Sequence, residues 1–259
     1  MAVIGVLTCE ILELEFAHLL AGDPDVAHIT VLDDTFSARF LEALKSTGHP
    51  GQRRIPLLRV FSLDRADRLE VLVRVLKIGL HSRKRLLQEA LLNAAKEMSR
   101  YVDGILLGYG LCGNALERPE ELLREAGVPI FIPMDEDHPV DDCVGLIIGG
   151  RECYYSEQCR VAGTFFMIPG WTHHWRMIFE AEHGAVDFKM AKRLFAHYER
   201  SLLVTNVVLS EESMRQNIEE FNRLFGFRTE VREGTLNILQ SAWEAAKASI
   251  MGRRTSINL

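Results

Sequence analysis

The chain has 259 residues, 47% of them hydrophobic and 25% charged, with a formal net charge of −6. That is the composition of an ordinary globular protein with one large core or two small ones, and it gives no electrostatic basis for binding nucleic acid. The longest apolar runs, GILLGYGL and GTFFMIPGW, fall short of the roughly 20 residues that cross a bilayer, and the N-terminal MAVIGVL lacks the features of a secretory signal, so a cytoplasmic protein is expected, with no membrane partner.

Strand and helix signals alternate from the start. Residues 2–8 read as a strand, 10–21 as an amphipathic helix carrying Ile11, Leu12, Leu14, Phe16, Leu19 and Leu20, 28–32 as a strand and 35–46 as a helix. Residues 48–68, with GHPGQRR and SLDRADR, read as a surface excursion. A strand at 70–78, a helix at 82–99, a strand at 103–108, a helix at 118–126 and a strand at 128–132 follow. In the second half, 142–160 reads as helix with a Gly-Gly interruption, 163–168 as strand, 171–198 as mostly helix, 201–208 as strand, 211–225 as helix, 227–232 as a short strand and 235–250 as helix. The tail GRRTSINL is expected to fray. The fold class is α/β, with a mostly parallel sheet or sheets and helices on both faces. No repeat or linker divides the chain. One continuous sheet fits this pattern, and so do two closely packed Rossmann-like lobes, 1–135 and 136–259, with a site in the cleft between them.

The five cysteines have no regular spacing, which argues for reduced thiols. Three of them stand where a hydrophobic stretch gives way to a turn or helix: Cys9 after AVIGVLT, Cys112 in GILLGYGLCGN and Cys143 in VDDCVGLIIGG. Ligands of open α/β sheets bind outside the carboxyl ends of the strands, so these three can share a site. A single cysteine is more often core filler; the joint placement carries the signal. Gly108, Gly110 and Gly113 around Cys112, with Asn114 following, let a backbone approach a bound group closely. Asp141 and Asp142 precede Cys143 and are candidates for proton acceptor. His81, at the end of EVLVRVLKIGLH, is either a fourth ligand or a neighbour of the helix cap at Ser82. Three thiolates and an imidazole suit closed tetrahedral zinc; three thiolates with an open position suit catalytic zinc or an iron–sulfur cluster with one exchangeable iron.

Cys153 and Cys159, six apart on one helical stretch, read as packing residues. PGWTHHW, at 169–175, places Trp171 and Trp175 on one helix face beside His173, a potential wall for a flat or cationic ligand, although core packing accounts for at least one of the tryptophans. The basic stretch HSRKRLL at 81–87 reads as a solvated helix face. GYGLCG matches G-x-G-x-x-G, but the helix starts too late and no acidic residue ends a following strand at the required distance, so dinucleotide binding is not expected. No Walker-type Gly-Lys-Ser/Thr is present.

The runs LKIGLHSRKRLL, YVDGILLGYGLCGN, VDDCVGLIIGGR and GTFFMIPGWTHHWRMI resemble, in order and spacing, the prokaryotic family called domain of unknown function 1638, with most similarity to its methanogen-type members. On matching positions the resemblance carries over Cys9, His81, Cys112, Gly113, Cys143 and Pro169 to Trp171. Many bacterial members carry a histidine where this chain has Asp141, and residues 33–68 are longer than in the shorter members. No settled reaction comes with the family; the resemblance implies association with corrinoid-dependent methyltransferase systems. The resulting expectation is a metal-binding protein of one-carbon metabolism, read as a metal-dependent methyltransferase. Its metal is held by Cys9, Cys112 and Cys143, with His81 as a further ligand. Gly110, Gly113, Asn114, Trp171, His173 and Trp175 line the site of a small thiol or methylated substrate, and Asp141 or Asp142 moves a proton. The expected partners are that substrate and a corrinoid protein or corrinoid methyltransferase. An iron–sulfur accessory protein that keeps a corrinoid partner reduced, and a non-catalytic binding module, are the alternatives.

Overall fold

Seven consecutive residues, Val3–Cys9 (β1), are buried on both faces, the mark of a central parallel strand. In the computed structural model, which describes residues 2–63, 68–183, 192–193 and 195–257, this strand lies inside a six-stranded, wholly parallel sheet. Its order is β3-β2-β4-β1-β5-β6, built from Val26–Leu32 (β2), Gln52–Ile55 (β3), Leu69–Leu76 (β4), Gly104–Gly108 (β5) and Ile130–Phe131 (β6). The expected α/β class and parallel pairing are what the structure has. Helices Glu13–Ala21 (α1), Ala38–Ser46 (α2), Lys84–Met98 (α3) and the short Pro119–Leu122 (α4) make the crossovers. Because β4 returns beside β1 and β5 then leaves on its other side, the carboxyl ends of β4, β1 and β5 stand together where the strand order switches, the place such sheets bind ligands. Register fixes those ends: Cys9 pairs with Leu76 and Thr8 with Gly108.

The excursion expected at 48–68 contains β3. It was not anticipated because QRRI is a half-exposed edge strand without an apolar face. A small antiparallel hairpin, Met134–Asp135 (β7) with His138–Pro139 (β8), also departs from the expected pattern. After Cys143–Ile148 (α5) and Arg151–Arg160 (α6), a second parallel sheet forms from Thr164–Met167 (β9), Arg200–Thr205 (β10) and Arg228–Glu233 (β11), in the order β11-β10-β9. Pro169–His183 (α7) and Glu211–Phe225 (α8) pack on one of its faces. Of the helix expected at 171–198, residues 184–191 and 194 lie outside the described part.

Side-chain alternation on the small sheet decides which core each residue joins. Phe166, Ile168, Leu202 and Val204 belong to the same buried cluster as Ile4 and Leu7, whereas Met167 and Leu203 face Met214, Ile218 and Phe221 of α8 in a second cluster. The last helix, Asn237–Ile257 (α9), leaves the small sheet and packs on β5 of the first. It is anchored by the Trp243 indole N–H donating to Asp23 Oδ2 at 2.6 Å and by Lys247 Nζ at 2.6 Å from the same carboxylate. The tail expected to fray continues this helix through Ile257; only residues 258–259 lie outside the described part. Among the described residues no helix is long and apolar enough to cross a membrane.

Candidate thiol site at the sheet edge

Cys9 ends β1, Cys112 sits in the turn after β5 and Cys143 opens α5. All three line one cavity of about 340 Å³ at the carboxyl ends of β4, β1 and β5. Backbone contacts explain how elements distant in sequence are held there. The Leu111 N–H donates to the Val140 carbonyl at 2.8 Å and the Gly113 N–H to the Asp141 carbonyl at 3.2 Å, which fastens the β5 turn to the start of α5. Gly110 is required by this contact: a Cβ there would lie 2.6 to 2.7 Å from the backbone of Asp142. Its close approach is thus to protein backbone and not to a bound group. Cys112 itself is left-handed, at φ 50° and ψ 53°, followed by Gly113 at φ 63°. A non-glycine residue held in that region carries strain of order 1 kcal/mol, and among the described residues Cys112 shares it with Glu136 in the β7–β8 turn. Asn114 lies in the turn that follows, with its side chain outside the described part.

The β4 side is tied down by Glu10, whose Oε2 accepts from the Ile78 N–H at 2.7 Å. Lys77 and His81 thereby reach the cavity, both solvent-exposed at its outer side. The remaining wall comes from α7. Gly170 sits against the Ile11 carbonyl, where a Cβ would be only 1.9 Å from the oxygen, and this contact sets Trp171 into the lining.

Burial dominates the electrostatics. It pushes the Cys9 and Cys112 thiols up to about 12, with the charge of Cys9 adding to the rise at Cys112, and raises Cys143 well beyond the usual thiol range, with Asp142, Cys112 and Cys9 adding to the effect. Buried in this way, the thiols remain protonated until a cation compensates them. Among the described residues no three His, Cys, Asp or Glu side chains stand around a common point, so joint ligation requires the thiols to move from these positions. The donor set suits a soft cation: thiols lining a cavity with mainly apolar walls.

Asp142 is shared between this cavity and a neighbouring one of about 600 Å³, which Asp141 lines instead. The Asp142 Oδ1 caps α5 by accepting from the Gly145 N–H at 2.7 Å, and burial raises its carboxyl. Trp175 stands away from the position expected for it. It is buried in the second cluster, its indole N–H donates to the Asn217 carbonyl at 3.0 Å, and Arg176 lies 4.3 Å over its ring. His173 also lies outside the lining, edge-on to His174, whose Nε2 is 2.8 Å from Glu13 Oε1. The reason is shared: among the described side chains of α7, Trp171 and Ile178 line the cavity, whereas Trp175 and Phe179 join the core of the small sheet.

Two participants were not singled out from sequence. Lys77 is an ordinary lysine in LKIGLH. Tyr109 reads as one more strand residue, yet its hydroxyl is buried beside the Cys9 thiol and has no nitrogen or oxygen partner. Only the spatial arrangement exposes that donor.

No curated protein matches the chain. Among solved structures, a crystal structure of N-acetyl-L-ornithine transcarbamylase aligns over 86% of this chain and 66% of its own length, at 15% identity. Its TM-score is 0.17, a level at which no common fold is implied. A family model described as "Protein of unknown function (DUF1638)" matches residues 75–243. That stretch takes in the β4 connection, Cys112, Cys143 and the α7 wall, so the chain belongs to the DUF1638 family.

Proposed function

We propose that the chain is a thiolate metal-binding protein that binds or activates a small thiol or methylated substrate. In this reading Cys9, Cys112 and Cys143 hold one metal centre and leave a position open to the ligand. The observation that carries it is the lining of a single cavity by these three cysteines, brought from three separate elements to the switch point of a parallel sheet. His81 lies at the exposed side of the cavity and serves its mouth in preference to closing the ligand set. A thiolate-bound zinc ion would supply a lowered pKa to a bound thiol. The protein's own residues would seal the cavity with Trp171, Ile11 and Ile178, and Asp142 is the carboxylate in reach of a released proton. A place in corrinoid-linked one-carbon metabolism, as a metal-dependent methyltransferase, follows from the family resemblance.

Cobalt(II) titration of the reduced, metal-free chain tests the centre. The expected result is a thiolate-to-cobalt absorption band that saturates stoichiometrically and is lost in Cys9→Ser, Cys112→Ser and Cys143→Ser. Cys159→Ser, at an exposed position, is expected to titrate like the parent. A band that survives all three substitutions overturns the reading.

A further inference from the structure

We propose that the molecule bound at the thiol cavity is a small thiol or thioether with an anionic tail, a carboxylate, sulfonate or phosphate, and that Lys77 and His81 hold this tail at the cavity mouth. The inference rests on the thiolate reading for the reacting end and adds the chemistry of the other end.

The lining sets the direction of such a ligand. Lys77 and His81 are its basic side chains, both from the short connection between β4 and α3, and Asp142 is its one carboxylate, already committed to capping α5. Lys77 makes no ion pair among the described residues. The connection is held in place by the Ile78 N–H bond to Glu10 and by a left-handed turn at Gly79, φ 80°. Three residues beyond His81, α3 opens with no acidic residue in its first turn. In the lining of the adjoining cavity across Asp142, the acidic Asp135, Asp141 and Glu152 outnumber the basic Arg151 and His138, so an anionic tail is directed to the β4 side. Inside, Tyr109 is 6% exposed and lines the cavity, with its hydroxyl beside the Cys9 thiol at the sulfur end of the ligand. Two-point binding, with the sulfur at the cysteines and the tail at the mouth, follows from these positions.

The test uses the full chain loaded with cobalt(II) and three thiols of similar length and different charge: mercaptopropionate, mercaptoethanol and cysteamine, followed by the thiolate-to-cobalt band. Mercaptopropionate is expected to bind about ten-fold more tightly than mercaptoethanol, with cysteamine weakest, a preference that added salt reduces. Lys77→Gln combined with His81→Gln is expected to abolish the ranking, and Lys45→Gln on the remote α2 to preserve it. Equal affinities across the series, or a ranking unchanged by the double substitution, would overturn the anionic tail while leaving the thiolate centre standing. Absence of the cobalt band in the parent chain would remove the centre and this proposal with it.

Discussion

Substituting alanine for Gly170 is expected to destabilise the protein by about 3 kcal/mol and to weaken metal binding in the same variant. The added Cβ would stand 1.9 Å from the Ile11 carbonyl oxygen and 2.6 Å from its carbon. Both atoms are backbone, so no rotamer change relieves the overlap, and α7 must move away from the turn that follows Cys9. Ile11 is two residues from Cys9, and Trp171 adjoins Gly170, so the displacement separates two walls of the cavity. Gly252→Ala is the natural comparison. That glycine lies in α9, and an added methyl group there would meet nothing within 4 Å, so the change is expected to be neutral or slightly stabilising. Thermal unfolding and the cobalt band, measured side by side, check the pair; an unchanged melting temperature in Gly170→Ala would contradict the packing described for α7.

Arg200→Leu is expected to cost about 3 to 5 kcal/mol, because it breaks a buried ionic network and leaves its partner groups uncompensated. Arg200 is fully buried at the start of β10. Its guanidinium donates to Thr164 Oγ1 at 2.8 Å, to the Glu157 carbonyl at 2.9 Å, to Glu157 Oε2 at 2.8 Å and to Glu230 Oε2 at 2.5 Å. Arg232 and Arg160 also pair with Glu157, at 2.7 and 3.0 Å. Burial alone would raise the Glu157 carboxyl, but hydrogen bonds from Arg200, Arg232 and Arg160 outweigh it and pull the group down to about 2 from an ordinary value of 4.5. A folded-state value below the unfolded one means that this stabilisation is complete above the ordinary carboxylate range and is lost as pH falls through the folded value. Denaturant unfolding of the parent is therefore expected to weaken across that acidic window. Arg200→Leu should be less stable at neutral pH and show a shallower acid dependence. A variant whose stability parallels the parent at every pH would remove the network from any part in holding α6 to the small sheet.

Much of the fold was legible because its central strands are apolar on both faces and its helices amphipathic. β1, β4 and β5 could be placed within a few residues from hydrophobic runs alone. β3 was not, since its polar residues at a sheet edge carry no periodic signal. The extension of α9 was missed for a related reason: GRRTSI lacks an apolar stripe and opens with Gly252, a common helix stop, yet the helix anchored by Trp243 and Lys247 runs through it. At the site, Cys9 and Cys112 follow from the rule that ligands lie beyond strand ends. Cys143 reaches the same cavity by another route, at the start of a helix pinned to the β5 turn by backbone bonds from Leu111 and Gly113. Trp175 shows the limit of spacing arguments. It shares a helix face with Trp171, but which neighbour that face meets changes along α7, from the cavity at its first turn to the second core further on. Tyr109 and Lys77 become visible only when the cavity is assembled.

Metal and acid-labile sulfide analysis of protein purified without oxygen, with Cys112→Ser alongside the parent, tests the central claim most directly. The account predicts a stoichiometric metal in the parent that is lost from Cys112→Ser, while the metal-free forms of the two proteins unfold at similar temperatures. Zinc would direct the next assays to methyl donors and thiols, and iron with sulfide to electron transfer in support of a corrinoid partner. A parent chain without metal, or equal metal in parent and variant, would contradict a centre held by the three cysteines.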